Sequence, residues 1–363
     1  MSLTHQIALT LVQSVGHVTA KSLLARFGTP EAVFSASMQD LLQVEGIGAV
    51  TAGQICRTDA LVLAEKQLKF LEKHQIDPLF YTDERYPKRL KNCYDAPVML
   101  YYRGTANLNH PRIVSVVGTR RATSYGLMLC EQLAETLKDY GVLVVSGLAY
   151  GIDVAAHRQS LLQGIPTVGV LGHGLDRLYP SAHRQTANEM IRNGGLLTEF
   201  PLYTNADKEN FPKRNRIIAG IADVTVVVEA ALKGGALITA ELANSYNRDV
   251  FAFPGRTTNQ YSEGCNFLIK TNRAGLISHP RDLAYFMGWE AETALTTPRQ
   301  SSLAIALSAT EQTVITVLQS SSQRIDELSI KAGIPQSKLA IHLLNLEIKG
   351  LIVSLPGSVY QLV

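Results

Sequence analysis

The sequence predicts an α/β protein with a Rossmann-like parallel sheet core, a helical module before it and a winged-helix domain after it. From residue 111 onward, short apolar segments alternate with amphipathic ones. Strands that are apolar on both faces are typical of a parallel sheet covered by helices on each side. Residues 3–56 contain short helical segments broken by glycines, and residues 305–363 contain three helical segments followed by a hairpin pattern.

Length, composition and charge limit the possible functions. With 363 residues and 46% apolar content, the chain is long enough for one large core and one or two small modules. The net charge of +3 is too small for a uniformly positive surface, so affinity for nucleic acid requires clustered Lys and Arg. We find no basic leader and no uncharged apolar run of about 18 residues, so we expect a protein that does not enter a membrane.

Four widely spaced cysteines contain no CxxC pair, which disfavours a structural zinc site and a disulfide framework. We therefore expect no metal and a reducing, cytoplasmic location.

The amino-terminal module is assigned to residues 1–70. Two similar units, at 14–28 and 44–55, each combine an apolar residue, a glycine turn and a helix, which is typical of a helix-hairpin-helix or SAM-like module. Gly46 and Gly48 are the candidate turn residues. Because the loops carry almost no Lys or Arg, a purely structural packing module that never touches DNA remains an alternative.

The core is assigned to residues 71–290. Residues 57–110 are interpreted as a connecting region with a helix around 60–73 and two extended pieces, DPLFYT and PVMLYYRG. The predicted strands that follow are RIVSVVG, VLVVSG, PTVGVLG, LLTEF, VTVVVEA and VFAFPG. The predicted helices lie at 126–139, 153–162, 183–193, 213–221 and 236–247.

Glycines and cations follow the carboxyl ends of these strands, where α/β sheets bind ligands. Glycine allows a backbone to approach a ligand closely, helix starts offer free N–H groups, and guanidinium groups grip phosphates. The sequence therefore predicts a polyanion site formed by Gly118, Thr119, Arg120, Arg121, Gly147, Lys213, Arg214, Asn215, Arg216, Lys233, Gly234 and Gly235. Since GxGxxG and Walker A motifs are absent, an NAD or ATP cofactor is disfavoured and we expect none.

Lys208 and Phe211 indicate the kind of polyanion. An aromatic ring among cations suits single-stranded nucleic acid, because charges follow the backbone while an unpaired base stacks on the ring. Alternatively, Phe211 in the loop before the helix at 213 acts as a hydrophobic staple.

Other polar residues have structural or catalytic interpretations. Arg216 and Glu229 form a buried ion pair that holds the helix onto the sheet, or Arg216 instead binds DNA; the sequence does not separate the two interpretations. Asp153 is interpreted as a helix cap and His157 as a core or helix-face residue. His173, between two glycines, is expected to be exposed, but it has no partners for a nucleophilic triad, so no catalytic residue is predicted.

The carboxyl-terminal domain, residues 305–363, follows the linker TALTTPRQSSLA. Helices at 310–318, 325–332 and 336–349 and the hairpin LIVSLPGSVYQL predict a winged helix. The recognition-type helix offers few polar contacts, namely Ser337, Lys338, His342 and Lys349. So few cations favour protein contact or weak duplex binding.

Several segments together resemble the DNA-processing protein A (DprA, Smf) family over roughly residues 85–290. They are VVGTRRATSYG, VVSGLAYGID, FPKRNRIIAG, VVVEA, KGGALITAELA and EGCNFLI. The resemblance implies a non-enzymatic, homodimeric protein that binds single-stranded DNA, protects incoming DNA and loads the RecA recombinase during natural transformation. It also implies DNA contacts from Arg120, Lys208 and Phe211, with Arg214, Asn215, Arg216 and Lys233 nearby.

Two other functions stay open. RNRIIAG and GGALITAE are similar to nucleotide phosphoribohydrolase motifs, in which Arg216 and Glu241 would act on a nucleoside monophosphate, but Leu237 stands where that pattern has a glycine. A duplex-DNA-binding regulator acting through the winged helix is the other possibility.

Overall fold

The computed structural model describes residues 2–291, 307–319, 323–349, 351–355 and 359–362. The chain divides into two compact units, Met1–Glu292 and Thr293–Val363. The predicted linker at 293–304 and the tip of the predicted hairpin, at 356–358, lie outside the described residues. Within the described part of the chain, none of the helices has the length and apolarity that a membrane span requires.

The first unit opens with six helices that form the predicted helical module. They are α1 (Leu3–Leu11), α2 (His17–Phe27), α3 (Pro30–Ser35), α4 (Met38–Leu42), α5 (Ala49–Cys56) and α6 (Ala60–Lys73). Gly16 and Gly48 are the N-cap residues that immediately precede α2 and α5, and Gly46 adopts φ +81° in the turn between α4 and α5. The apolar side chains of these helices pack with Phe80 and Met99 of the sheet in one core.

Nine strands form one sheet in the first unit. They are β1 (Asp77–Phe80), β2 (Met99–Gly104), β3 (Ile113–Val117), β4 (Leu143–Gly147), β5 (Thr167–Val170), β6 (Gly194–Thr198), β7 (Val224–Val227), β8 (Asp249–Ala252) and β9 (Gly275–Leu276). The order is β1-β2-β6-β5-β4-β3-β7-β8-β9. All neighbours from β6 to β9 pair in parallel, which confirms the predicted core. The two extended pieces predicted before it become β1 and β2, antiparallel strands at one edge.

The remaining helices of this unit are α7 (Lys88–Lys91), α8 (Ser124–Leu137), α9 (Ile152–Leu162), α10 (Arg184–Arg192), α11 (Asn210–Ile221), α12 (Gly235–Ser245), α13 (Glu263–Lys270) and α14 (Pro280–Phe286). The five from α8 to α12 were predicted and lie near their predicted positions, whereas α7, α13 and α14 were not predicted. The predicted start of α11 at residue 213 is wrong, because the helix begins at Asn210 and includes Pro212. Proline is tolerated there because the first-turn N–H groups need no helical partner. Phe211 is thus inside the helix, not in the loop before it, and is not a hydrophobic staple.

Alternate residues of the strands pack against helices on opposite faces of the sheet. On β3, Val114 and Val116 belong to a buried cluster that includes Leu133 of α8, whereas Ile113 and Val117 belong to a cluster with Ile218 of α11. This alternation follows from the two-residue period of a strand. A helix layer therefore covers each face of the sheet, and loops surround the ends of its strands.

The second unit is the predicted winged helix. It contains α15 (Ala309–Leu318), β10 (Gln323–Arg324), α16 (Ile325–Ala332), α17 (Gln336–Ile348), β11 (Ile352–Leu355) and β12 (Val359–Leu362). The strands form an antiparallel sheet in the order β10-β12-β11. Leu328, Leu339 and Leu343 are buried in a core of their own, so the helices are held together within this unit.

Candidate nucleic-acid interface

A groove lies at the carboxyl edge of the sheet, where the loops after β3, β4 and β5 meet the first turn of α11. It is lined by Arg120, Leu148, Ala149, Tyr150, Val170, Leu171, Gly172, Tyr179, Pro180, Phe211 and Arg214. We call this the carboxyl-edge groove. The convergence is the one expected where parallel strands end together.

Aromatic rings and a guanidinium group form the open side of the groove. Phe211 is half-buried and packs so closely on Gly172 that a Cβ there would lie 3.1 Å from its ring. The Arg120 Cζ is 5.3 Å from the Phe211 ring centroid, and the Tyr179 ring centroid is 6.1 Å from it. A planar cation beside exposed rings offers surfaces on which an unpaired base stacks.

Arg214 forms the floor of the groove. Its side chain is buried, and its Nη1 donates to the carbonyl oxygen of Val170 at 2.6 Å. Its Nε–H has no hydrogen-bond partner among the described residues. Gly147 makes this placement possible, because a Cβ there would collide with the Arg214 guanidinium and with the Asp153 carboxylate. A buried donor without a partner is costly, so this N–H favours a ligand with an acceptor oxygen.

The charges around Arg214 leave the groove positive. Asp153 is buried in the first turn of α9, and its burial raises the pKa of this carboxyl, while Arg214 and Arg120 oppose the shift. Burial likewise lowers the pKa of His157 to about 4, so this residue is neutral near pH 7. Two guanidinium groups therefore share one buried carboxyl, and the excess positive charge faces the open side.

Glu229 holds the loop that carries Arg120. Its carboxylate accepts hydrogen bonds from the Thr123 N–H at 2.9 Å and the Thr123 Oγ1 at 2.6 Å. Its carbonyl oxygen accepts from the Thr119 N–H at 2.7 Å. The proposed Arg216–Glu229 ion pair is wrong, because Glu229 is satisfied by this loop and Arg216 has other partners.

Arg216 belongs to a second polar group, which we call the closed cluster: His17, Asp95, Glu199, Arg216 and Tyr246. Arg216 donates to the Glu199 carboxylate and to the Asp95 carbonyl oxygen. Glu199 also lies 2.7 Å from the His17 Nε2 at the start of α2, and the Tyr246 hydroxyl donates to Asp95 at 2.7 Å. Arg216 is thus linked through Glu199 to His17 of the helical module, and its contacts do not support its predicted place in the polyanion site.

The other predicted residues lie on the surface around α11 or in the loops that support it. The exposed ones are Arg121, Lys208, Lys213, Lys233, Gly234 and Gly235. Asn215 is buried, and its Nδ2 donates to the Gly235 carbonyl oxygen at 3.2 Å. Gly118 packs against Ile152, where a Cβ would collide with that side chain. The hydrogen bond from Asn215 to Gly235 fixes the loop that carries Lys233 to α11.

Two tyrosines at this edge were missed by the sequence prediction. Tyr150 and Tyr179 are 49% and 53% exposed, and both line the groove. Each tyrosine follows the end of a predicted strand, and this position could have identified both as candidate ligand-binding residues. His173 was expected to be exposed, which is wrong: it is 1% exposed, and the Tyr179 N–H donates to its Nε2 at 3.2 Å.

The residues of the alternative enzyme interpretation are occupied elsewhere. Arg216 is in the closed cluster, and Glu241 forms an exposed ion pair with Arg273. In the part of the chain that the structure describes, no group of three or more His, Cys, Asp or Glu side chains is placed to hold a metal ion.

The exposed face of α17 is more apolar than basic. Ile341, Leu344 and Ile348 are 57–75% exposed and recur at helical spacing on one face. Ser337 and Lys338 are exposed and His342 is half-buried, while the Lys349 ammonium pairs with Glu311 at 2.8 Å. Few cations remain for a DNA backbone on this helix.

Fold and groove together define a Rossmann-like protein with a cation-lined, aromatic site at the carboxyl edge of its sheet. The chain belongs to the DNA recombination-mediator protein A family, whose model matches residues 77–288. Residues 298–358 match the DprA winged helix domain and residues 7–58 a SAM-like helix-hairpin-helix tandem. The matches confirm the family resemblance and the three predicted kinds of module.

Individual relatives agree with this assignment. Protein Smf from Synechocystis is 32% identical over 392 residues, covering 98% of this chain and 97% of the relative. The structure of DNA processing protein A from Streptococcus pneumoniae aligns with a TM-score of 0.70 at 30% identity, covering 79% of this chain and 98% of that one. That of the Helicobacter pylori protein, described for its single-stranded DNA binding mode, aligns with a TM-score of 0.54 at 30% identity, covering 60% and 98%.

Proposed function

We propose that this protein binds single-stranded DNA in the carboxyl-edge groove and performs no chemistry on it. The observation that carries the proposal is the Arg120–Phe211–Tyr179 arrangement above the buried Arg214 guanidinium. Cations beside exposed rings fit a flexible strand whose bases are unpaired, and a duplex presents no free base to such rings.

Different residues of the site have different roles in this proposal. The phosphates contact Arg120 and the exposed cations around the start of α11, which are Arg121, Lys208, Lys213 and Lys233. One base stacks on Phe211, and the Arg214 Nε–H donates to an acceptor that the strand brings into the groove. Gly147, Gly118, Thr119, Asn215, Gly234 and Gly235 shape the supporting loops.

Family membership supports a wider role. We infer that the protein protects incoming single strands in the cytoplasm, loads the RecA recombinase onto them during natural transformation, and acts as a homodimer. The basis for this inference is the family, together with the single-stranded DNA binding described for the Helicobacter pylori protein.

Binding of labelled oligo(dT) and of a duplex of equal length, at several salt concentrations, tests the proposal. We expect the full chain and a variant lacking residues 305–363 to bind oligo(dT) more tightly than duplex, with affinity falling as salt rises. Preference for duplex that disappears with the tail would instead support the winged-helix regulator. Release of free base from nucleoside monophosphates would overturn the non-enzymatic assignment.

A further inference from the structure

A second basic surface lies on helices α9 and α10. The groove between these helices is lined by Arg158, Leu161, Leu162, Ala182, Gln185, Thr186 and Glu189. A shallow depression that also includes Gln185 adds Arg184 and Arg192 to the same surface. We call the two together the α9–α10 groove.

The charge of this surface is unbalanced. Arg158, Arg184 and Arg192 are all exposed. The two helices contain two acidic residues: Asp153 is buried, and Glu189 accepts a hydrogen bond from the Gln185 amide at 3.0 Å. Three arginines therefore face one exposed carboxylate, although the whole chain has a net charge of only +3. A local excess of this kind attracts a polyanion.

The arginines lie on neighbouring parts of the two helices. Arg184 and Arg192 are eight residues apart on α10, which places them about 12 Å apart along the helix axis. Arg158 reaches across from α9, and its Nε donates to the Thr186 Oγ1 at 3.3 Å. This contact holds its guanidinium over the groove. Several guanidinium groups on one surface suit the phosphates of a nucleic-acid backbone.

The α9–α10 groove lies beside the carboxyl-edge groove, since Pro180 lines the latter and Ala182 the former. Tyr150, which lines the latter, contacts the His183 ring at a centroid distance of 4.8 Å. His183 is fixed by the Leu148 carbonyl oxygen, 3.0 Å from its Nδ1, and the next residue is Arg184. A strand that leaves the carboxyl-edge groove past Tyr150 would therefore pass near the start of α10, where Arg184 lies.

We propose that the α9–α10 groove is a second DNA subsite, in which Arg158, Arg184 and Arg192 bind the backbone of the strand held in the carboxyl-edge groove. This inference rests on the proposed function. In this proposal the DNA runs from the carboxyl-edge groove to the α9–α10 groove. Affinity then depends on strand length, because a short strand fills only the carboxyl-edge groove.

The test compares short and long strands on the full chain. In the triple variant Arg158→Gln, Arg184→Gln and Arg192→Gln, we expect affinity for an oligo(dT) of about 30 nucleotides to fall about tenfold or more. The slope of log K against log salt becomes shallower by about 2, at about 0.7 per lost contact. Affinity for an oligo(dT) of about six nucleotides stays within about twofold of wild type.

A matched control removes the same number of charges from another surface. Lys66→Gln, Lys69→Gln and Lys73→Gln on the exposed side of α6 are expected to change neither affinity. The double variant Arg184→Gln and Arg192→Gln keeps the Arg158–Thr186 contact and should show the same length-dependent loss, at smaller size. An unchanged affinity for the long strand, or an equal loss for both lengths, overturns the second subsite. In both cases the affinity of Arg120→Ala for oligo(dT), measured in parallel, tests separately whether the strand binds in the carboxyl-edge groove.

Discussion

The carboxyl-edge groove and the closed cluster use two arginines from the same short motif in opposite ways. Arg214 and Arg216 are two residues apart on α11, which rotates them by about 200° around the helix axis. Arg214 lies under the open groove with one N–H that lacks a partner among the described residues. Arg216 is paired with the Glu199 carboxylate and the Asp95 carbonyl oxygen.

The difference shows that a basic motif does not form one site merely because its residues are adjacent. In the groove, positive charge exceeds negative charge and faces the outside, which fits a ligand. In the closed cluster, Arg216 of α11 is paired with Glu199, which follows β6 and also contacts His17 at the start of α2, and this fits a structural role. At the start of α2, the first of the two predicted helix-hairpin-helix units, His17 therefore contacts the Glu199 carboxylate.

The largest expected effect comes from breaking the closed cluster. Arg216→Met leaves the buried Glu199 carboxylate without its guanidinium partner, so we expect the free energy of unfolding to fall by about 3 kcal/mol. Urea denaturation measures this change. Affinity of the folded protein for oligo(dT) stays within about twofold. Arg273→Met, which removes the exposed partner of Glu241, is the control and should cost less than about 1 kcal/mol. Weak DNA binding by folded Arg216→Met would place that arginine in the interface after all.

A second effect concerns His157, a buried residue whose Nε2 lies 2.6 Å from the Gly147 carbonyl oxygen and whose ring is kept neutral. Its pKa is about 4 in the folded state and about 6.5 when unfolded. As pH falls below about 6.5, the unfolded chain takes up a proton that the folded protein does not. Stability therefore falls by about 1.4 kcal/mol per pH unit down to about pH 4 and is unaffected by this group above pH 7. Urea denaturation across this range should show a steeper pH dependence in wild type than in His157→Gln; parallel curves would contradict the assignment.

Replacing the ring of Phe211 sharpens the comparison on the groove side. Phe211→Leu removes the stacking surface, and we expect a loss of about 1–3 kcal/mol in binding oligo(dT). Phe211→Trp keeps a ring and retains most of the affinity. Fluorescence anisotropy of the labelled strand measures both. Equal affinity of the Leu and Trp variants would mean that no base stacks at this position.

The smallest effect is expected for a single surface charge. Arg120→Ala removes one contact to a DNA phosphate, so the binding free energy weakens by about 1 kcal/mol at low salt. The slope of log K against log salt becomes shallower by about 0.7. Lys208→Ala acts in the same direction. Arg281→Ala, an exposed arginine on α14, serves as the control. If the Arg120 variant keeps the wild-type salt slope, the backbone does not pass this loop.

Much of the fold was predictable because strand and helix periods are local properties of the chain. The alternation of buried strands such as β3 and β4 with amphipathic helices was sufficient to predict the parallel sheet and the position of its ligand-binding edge. The start of α11 was missed by three residues, because the helix includes Pro212, which the first turn tolerates. That three-residue shift changed the interpretation of Phe211.

The division of the site could not be predicted from the sequence. Which face of α11 holds Arg214 and which holds Arg216 depends on distant partners, since Glu199 and Asp95 lie far away in sequence. Glu229 was paired with the wrong partner for the same reason. Tyr150 and Tyr179 were visible at strand ends, but only the folded loops bring them beside Phe211.

Photocrosslinking maps the DNA contact most directly. An oligo(dT) that carries 5-iodouracil is bound to the full chain, irradiated and digested, and the modified peptides are identified by mass spectrometry. The account predicts crosslinks at Phe211, Tyr179 or Tyr150 in the carboxyl-edge groove. Crosslinks confined to α17 of the winged helix or to the starts of α2 and α5 would contradict it.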